Sequence, residues 1–382
     1  MSDADAGSGA QLNATLTDLS QRALDENWLD DPATFRQALS QLLATGVIET
    51  ILDPPPAAAH PSRRFCDALA DIAEVSVELA ESVQIQAFTA NTIRRNAGPE
   101  LWGELSAGIR TGSTVVASCV SEEQSGSDMS AIALAAERDG ADFRLTGHKA
   151  WAAHAPFADE LIVYARTSAA GLGGITAFLV PAGAPGVRTG APVVSVAGLA
   201  VPTSDITFDD VRVPARRVLG RIDRGARVAN VLITQGRVGV AACALGLGTA
   251  AFDEALRYAR SHVRFGRPIL EHQGIGFALA DMATELAAAR ALLYVACDSV
   301  DDDPDAAVTA CAQAKVFATD VALRVTTGAL QTLGAVAYRP DNRAERRFRQ
   351  AKLLQLLQGT NEIQRVTVAN RLVARPASTT SA

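Results

Sequence analysis

The order in which local patterns follow one another limits this chain's fold more than any other feature. From about Leu12 to Gly112 the spacing is helical, interrupted at 53–61, DPPPAAAHP, where three prolines after an aspartate end one helix and open a linker. Within it, 66–95 repeats apolar residues every three or four positions and should pack one face into a bundle. Between Thr114 and Pro214 stand short β-branched or alternating runs: TVVASCVSEE, DFRLTGHKAW, ELIVYART, GITAFLVP and SDITFDDVRVP. DG, GLGG and PAGAPG clusters separate them as turns. Helical spacing then returns, with segments near 225–263, 272–300, 304–334, 343–358 and 361–374. In the acidic break DDDPD, Asp303 can cap a helix that has Pro304 at its first position. Strands and helices are grouped rather than alternating, which excludes a βα plan. The expectation is an α+β multi-domain chain: an α-helical domain over 1–113, a β domain over 114–215 and a helical bundle over 216–382.

A chain of 382 residues exceeds one hydrophobic core, so two or three packed subdomains are expected. No uninterrupted apolar run approaches the length of a membrane span, and MSDADAGSGAQ lacks the basic start and apolar core of a signal peptide, so no membrane insertion is expected. Cys66, Cys119, Cys243, Cys297 and Cys311 are odd in number, widely spaced and set among apolar neighbours, as reduced core thiols of a cytoplasmic protein would be. Net charge is −7, and the single basic run, RAERRFRQAK, reads as a solvated or phosphate-facing helix surface rather than a nucleic-acid groove. The histidines at 60, 148, 154, 262 and 272 show no ligand spacing, so no metal is expected. GLG at 246–248 falls inside a helix, where close helix packing explains it better than a nucleotide loop does.

Six separated stretches carry chemistry: VSEEQSGSD (120–128), GHKAWAAH (147–154), DDVRVPARRVLG (209–220), RVGVAACALGLG (237–248), RFGRPILEHQGIGFALADM (264–282) and LLQGTNEIQR (356–365). In SEEQSGSD, small residues and hydroxyls at a strand end let backbone N–H groups and Ser121 approach a planar heterocycle, with Ser127 near a pyrophosphate or thioester. A serine-rich hairpin is the plainer alternative for that stretch alone. Taken in order from about Cys66 to Arg371, the stretches resemble the acyl-CoA dehydrogenase family. VSEEQSGSD is similar to its T-E-P-x-A-G-S-D signature, and GHKAWAAH to its G-x-K-x-W-I-T-N strand. The resemblance implies an N-terminal helical bundle, a middle small β-barrel or sandwich and a C-terminal four-helix bundle.

It also implies FAD as cofactor, held by positions matching Val120, Ser121, Ser127, Trp151, Ala153, His262, Phe265, Gln273, Gln331, Gly334, Ala335, Thr360 and Glu362, some of them across a subunit interface. The implied substrate is an acyl thioester, on coenzyme A or a carrier protein, near Ser127, Arg237 and Gly359. The implied partners are an electron-transfer flavoprotein or another acceptor, and a dimer or tetramer, with a second copy or a second family chain.

Family chemistry removes the α-proton of the thioester with a carboxylate at the position of Gln358 while a hydride leaves the β-carbon. The amide of Gln358 keeps the volume and the backbone donor but cannot take that proton near neutral pH. Some members carry the base immediately ahead of the arginine matching Arg237, and that position here is Gly236, preceded by Gln235. Trp151-Ala152-Ala153 lacks the family threonine, His262 replaces an arginine, and Gly334-Ala335-Val336-Ala337 replaces a glycine-rich loop. His154, beside the lost threonine, is a candidate base, although a lone histidine at a strand end is also a common structural residue. Three readings follow: an atypical acyl-thioester dehydrogenase, a non-catalytic partner subunit of a heteromeric one, or a flavin monooxygenase-like variant.

Overall fold

A computed structural model of the chain describes residues 3–22, 31–54, 60–168, 171–193, 201–339 and 341–374. Six helices come first: α1 (Asp3–Arg22), α2 (Pro32–Leu43), α3 (Glu49–Leu52), α4 (Pro61–Val75), α5 (Val77–Asn96) and α6 (Pro99–Thr111). The run expected as one stretch over 66–95 breaks at Ser76, which is extended (φ −153°) and whose hydroxyl accepts from Leu79 N–H as the N-cap of α5. Nor does α5 bury a single face: it is enclosed on nearly every side, Glu78, Glu81, Gln84 and Gln86 included. Most of the proline linker, 55–59, lies outside the described residues.

The strands are β1 (Val116–Cys119), β2 (Ala135–Asp139), β3 (Asp142–Ala153), β4 (Glu160–Arg166), β5 (Ile175–Pro181), β6 (Val187–Thr189), β7 (Thr203–Val213) and β8 (Val218–Leu219). They form one sheet in the order β6-β7-β3-β2-β4-β5-β8, with β1 pairing parallel to β4. β2 is absent from the sequence reading because its AAERD has little β-branched character; a tight turn at Gly140 (φ 63°) pairs it with β3. β8 continues the sheet past residue 215 by pairing with β5, so the helical part begins at Gly225.

Five helices follow: α7 (Gly225–Ser261), α8 (Gln273–Asp302), α9 (Pro304–Leu333), α10 (Ala344–Leu354) and α11 (Asn361–Ala374). Between α7 and α8 runs a small hairpin of β9 (Val263–Arg264) and β10 (Arg267–Pro268). Asp303 caps α9 through its carboxylate, which accepts from Asp305 and Ala306 N–H, with Pro304 next in line. α7 is the axis of the molecule, packed by α4, α5, α8, α9, α10 and β5. By length and composition α7 and the stretch Asp305–Tyr338 could each cross a bilayer, yet α7 spends its apolar surface on the protein core.

The basic run on α10 does not form the solvated surface expected of it. Arg346 pairs with Glu78 of α5 and Arg347 with Glu254 of α7, so the charges tie α10 to the helices beneath it. All five cysteines are buried and unpaired.

Helix α7 approaches α4 so closely that a Cβ on Gly246 would lie 2.1 Å from the Ala70 carbonyl oxygen. Gly246→Ala should therefore destabilise the protein by about 1–3 kcal/mol despite the better helix propensity of alanine. Gly274→Ala, where the added carbon meets nothing within 4 Å, should be neutral or slightly stabilising. Urea midpoints of the two variants check both expectations.

Candidate active site

Between α10 and α11 the chain turns through two successive left-handed residues, Gln358 (φ 52°) and Gly359 (φ 82°). For a glutamine that conformation costs on the order of 1–3 kcal/mol and must be imposed by its surroundings. Lys315, wholly buried on α9, imposes it by donating to Gln355 O (2.8 Å), Gly359 O (3.1 Å) and Asn361 Oδ1 (2.7 Å). Gln364 adds its amide to Gln358 O (3.2 Å) and Gly359 O (2.9 Å). Thr360 starts α11, its hydroxyl accepting from Ile363 N–H at 3.4 Å, and Glu362 stands exposed in the first turn. Burial pushes the Lys315 ammonium down to about 7.

The Gln358 side chain rests on α7 where there is no side chain to meet it. A Cβ on Gly236 would lie 2.6 Å from Gln358 Cδ and 2.7 Å from Oε1. The two positions that could hold a carboxylate are thus one contact, filled by an amide and a bare Cα. Around it the interior is polar and incompletely paired. Arg237 is buried, and its Nε and Nη1 find no hydrogen-bond partner among the described residues. Thr234 Oγ1, Gln364 Oε1, Gln84 Oε1 and Glu81 Oε1 are orphaned in the same way.

Gln84 lies against Gly239, one turn along α7 from Gly236. Glu81 accepts from Gln84 Nε2 (2.8 Å) and lies beside Cys243, one turn further. Burial pushes the Glu81 carboxyl up to about 7, against the pull of Gln84. Buried polar atoms without partners are rare, and their gathering beside one turn marks a place shaped for a ligand or ordered water.

The β domain contributes a second face. Lys149, fully buried on β3, pairs with Glu122 (2.7 Å) and donates to Val120 O (3.1 Å), while Glu122 also accepts from Ala133 and Leu134 N–H. This pair fixes the SEEQSGSD segment against β3, where Ala150 N–H donates to Ser121 O at 2.9 Å. At the register shift between Lys149 and Ala152, Trp151 takes a positive φ (57°) and leaves its indole 67% exposed. Ser127 is exposed nearby in the chain, and Ala153 is half-buried opposite Thr203.

His154 is not available as a base. It is wholly buried, its Nδ1 is 3.1 Å from Val116 O, its ring packs on Phe157, and burial pushes its pKa down to about 4. A side chain with no accessible surface cannot meet a substrate in this conformation.

The remaining candidates lie elsewhere. His262 ends α7 and stacks on Tyr258 at 4.4 Å, and Tyr258 packs with Leu330, Leu333 and Ala337 at the end of α9. Gln273 opens α8; Gln331, Gly334 (φ 60°) and Ala335 are exposed around the C-terminus of α9. Phe265, with Gly266, forms a two-residue hairpin loop with positive φ at both positions (51° and 80°), and its ring is 96% exposed. Arg237, well inside the amino-terminal half of α7, and His262, just past its carboxyl end, are roughly 38 Å apart from the helical rise. A cofactor at the Gln358 end cannot also touch Phe265 of the same chain.

Sequence reasoning overlooked Lys315, Gln364, Glu81, Gln84 and the Glu122–Lys149 pair. The one available signal for Lys315 was a lone lysine among the apolar residues of CAQAKVFATD. The others are recognisable only through partners distant in the chain.

Comparison with known proteins agrees with the helix–strand–helix fold. The model of the acyl-CoA dehydrogenase middle domain matches residues 117–211, and that of the acyl-CoA dehydrogenase C-terminal domain matches 223–373. Cyclohexane-1-carbonyl-CoA dehydrogenase of Geobacter metallireducens is 34% identical over 343 residues, covering 89% of this chain and 90% of that protein. The caffeyl-CoA reductase-Etf complex subunit CarC of Acetobacterium woodii is 32% identical over 268 residues, 70% of each chain. The structure of butyryl-CoA dehydrogenase from Megasphaera elsdenii superimposes with a TM-score of 0.84 at 28% identity, over 94% of this chain and 98% of that one.

The contact between 236 and 358 makes their substitutions interdependent. Gly236→Ala should cost about 1–3 kcal/mol in the wild type, but become neutral or stabilising once Gln358→Ala removes the opposing atoms, a coupling that a double-mutant cycle measures. Glu81 predicts a pH effect. Its raised folded pKa means that its contribution is full below its unfolded value of 4.5 and lost as pH rises through about 7. Glu81→Gln should flatten that fall, read from denaturation midpoints across the interval; an unchanged slope would refute the assignment.

Proposed function

The chain belongs to the acyl-CoA dehydrogenase family, and from that premise we propose that it is an FAD-dependent acyl-thioester oxidoreductase working without a protein carboxylate at the usual place. The observation that carries this reading is the Gln358 turn: the backbone is held at real cost by Lys315 and Gln364, while neither 358 nor 236 supplies a base. The Gln358 N–H makes no hydrogen bond among the described residues, which leaves it free to donate to a thioester carbonyl. Substrates whose α-proton is already acidified by their own acyl group suit such a site, because the neutral amide cannot accept that proton. Ser127 and Arg237 complete the proposed substrate contacts. The orphaned Glu81 and Gln84 oxygens beyond Gln358 favour an oxygenated acyl group over a plain hydrocarbon chain.

FAD, when bound, accepts the hydride from the β-carbon. Val120, Ser121, Ser127, Trp151, Ala153, Thr360 and Glu362 would hold it from one chain, with His262, Phe265, Gln273, Gln331, Gly334 and Ala335 from another. Two aromatic rings held in solvent on positive-φ backbone fit a planar ligand and a second subunit. An electron-transfer flavoprotein is the proposed acceptor, in keeping with the name of the Acetobacterium relative, and five buried thiols suit the cytoplasm.

A second reading is favoured by the absence of a carboxylate at both base positions and by the two ends of α7. The chain would then be the baseless member of a heteromer, lending its Phe265 end to a catalytic companion.

The visible spectrum of the purified chain, followed by anaerobic addition of acyl-CoA thioesters, decides between them. The first reading expects a bound flavin that the wild type bleaches and Gln358→Glu bleaches about 10²- to 10⁴-fold faster. Protein that gains flavin only with a companion chain supports the second.

A further inference from the structure

Guanidinium groups drawn into this interior are answered by carboxylates: Arg217 meets Glu160, Arg346 meets Glu78 and Arg347 meets Glu254. Arg237 of α7 is not. It is only 7% exposed, and among the described residues its Nε and Nη1 are sealed from solvent without an acceptor. Burial pushes its pKa down, and no carboxylate is among the groups that lift it again. A second cation, Lys315 of α9, stands near enough to feel the Arg237 charge, although three oxygens surround its own ammonium.

The acidic groups of the surrounding helices are committed elsewhere. Glu81 of α5 accepts from Gln84, and burial disfavours its charge. Asp320 of α9 accepts from Gln355, Asn361 and Arg365. Glu362 of α11 is exposed and faces Arg365. The side chain on the residue next to Arg237 is that of Gln358, resting on Gly236, and an amide brings no charge.

Thr234 precedes Arg237 by three residues on α7, which places both on one face of the helix, and its hydroxyl is buried without a partner as well. A guanidinium and a hydroxyl without acceptors fit a planar anion with two oxygens. We propose that the acyl group received at the Gln358 turn carries a carboxylate of its own, seated on Arg237 with Thr234 beside it, so that the site selects monothioesters of short dicarboxylic acids. The acyl group is short because Arg237 adjoins the residue on which Gln358 rests. A hydrocarbon chain would leave the buried charge unanswered. The assignment rests on the acyl-thioester reading of this site.

Succinyl-coenzyme A and butyryl-coenzyme A have equally long acyl chains that differ in charge, and calorimetric titration of the full chain with this pair tests the proposal. The succinyl thioester should bind about tenfold more tightly or better. Arg237→Gln should bring the two towards equality, Arg237→Lys should keep part of the preference, and Thr234→Val should narrow it. Arg237→Met, which removes an unanswered buried charge, should raise the urea midpoint of the ligand-free protein; a lowered midpoint would show a partner within the chain and overturn the proposal. Equal binding of the pair by the wild type, or a preference that survives Arg237→Gln, would overturn it and leave the thioester reading standing. So would a midpoint raised as far by acetate alone, which assigns the charge to a free anion. Binding of neither thioester would remove both inferences together.

Discussion

One helix of 37 residues has to be buried along most of its length, and the rest of the molecule is arranged around that requirement. α7 meets it with small residues on the faces that neighbours approach: Gly246 against Ala70, Gly239 against Gln84, Gly236 against Gln358. Each glycine admits a different partner, so one stripe sets the α4 crossing, the α5 seam and the seat of the Gln358 turn. The geometry of the site therefore follows from helix packing and not from a separately stabilised loop.

Two buried lysines show how differently an interior can treat the same cation. Lys149 has a carboxylate beside it, and Glu122 is itself satisfied by two backbone N–H groups, so desolvation is answered by full pairing. Burial alone would raise Glu122, but its hydrogen bond from Lys149 holds it below the usual carboxylate range. Lys315 has only dipoles as hydrogen-bond partners: two carbonyls and a side-chain amide oxygen. The first pair fixes a strand and its loop permanently. The second leaves a turn held by a group whose charge is costly, close to a carboxyl, Glu81, that is equally reluctant to ionise. Burial thus works against the charged forms of both groups in the interior near Gln358.

The helix–strand–helix order was legible because apolar period survives in sequence, and the bounds of α7, α8 and α9 fell within a few residues of those expected. The break at Ser76 was not, since a serine amid uninterrupted apolar spacing announces a cap only when its φ is known. β2 escaped for lack of β-branched residues. At the site, Gln358 and Gly236 could each be read as a missing base, but that they touch is a property of the fold. His154 shows the opposite failure: proximity in sequence to Trp151 suggested chemistry, yet it sits in a left-handed turn (φ 70°) just past β3, wholly buried. The basic run of α10 misled for a similar reason, because its acidic partners, Glu78 and Glu254, are remote in the chain.

The distance along α7 constrains both functional readings. Groups near Gln358 and groups near Phe265 stand tens of ångströms apart along α7, so under the proposed reading a cofactor that uses both would take them from two chains. The sequence resemblance implies departures from the family pattern at both ends, Gln358 and Ala153 at one, His262 and Ala335 at the other. What persists at the far end is geometric: Phe265 is still presented on a strained two-residue loop with its ring in solvent. An exposed aromatic ring on unfavourable backbone suits the proposed use of this end by a second subunit. That end fits use by a neighbouring subunit whether or not the Gln358 end performs chemistry, and this separation allows one chain to serve either as a catalyst or as a companion to one.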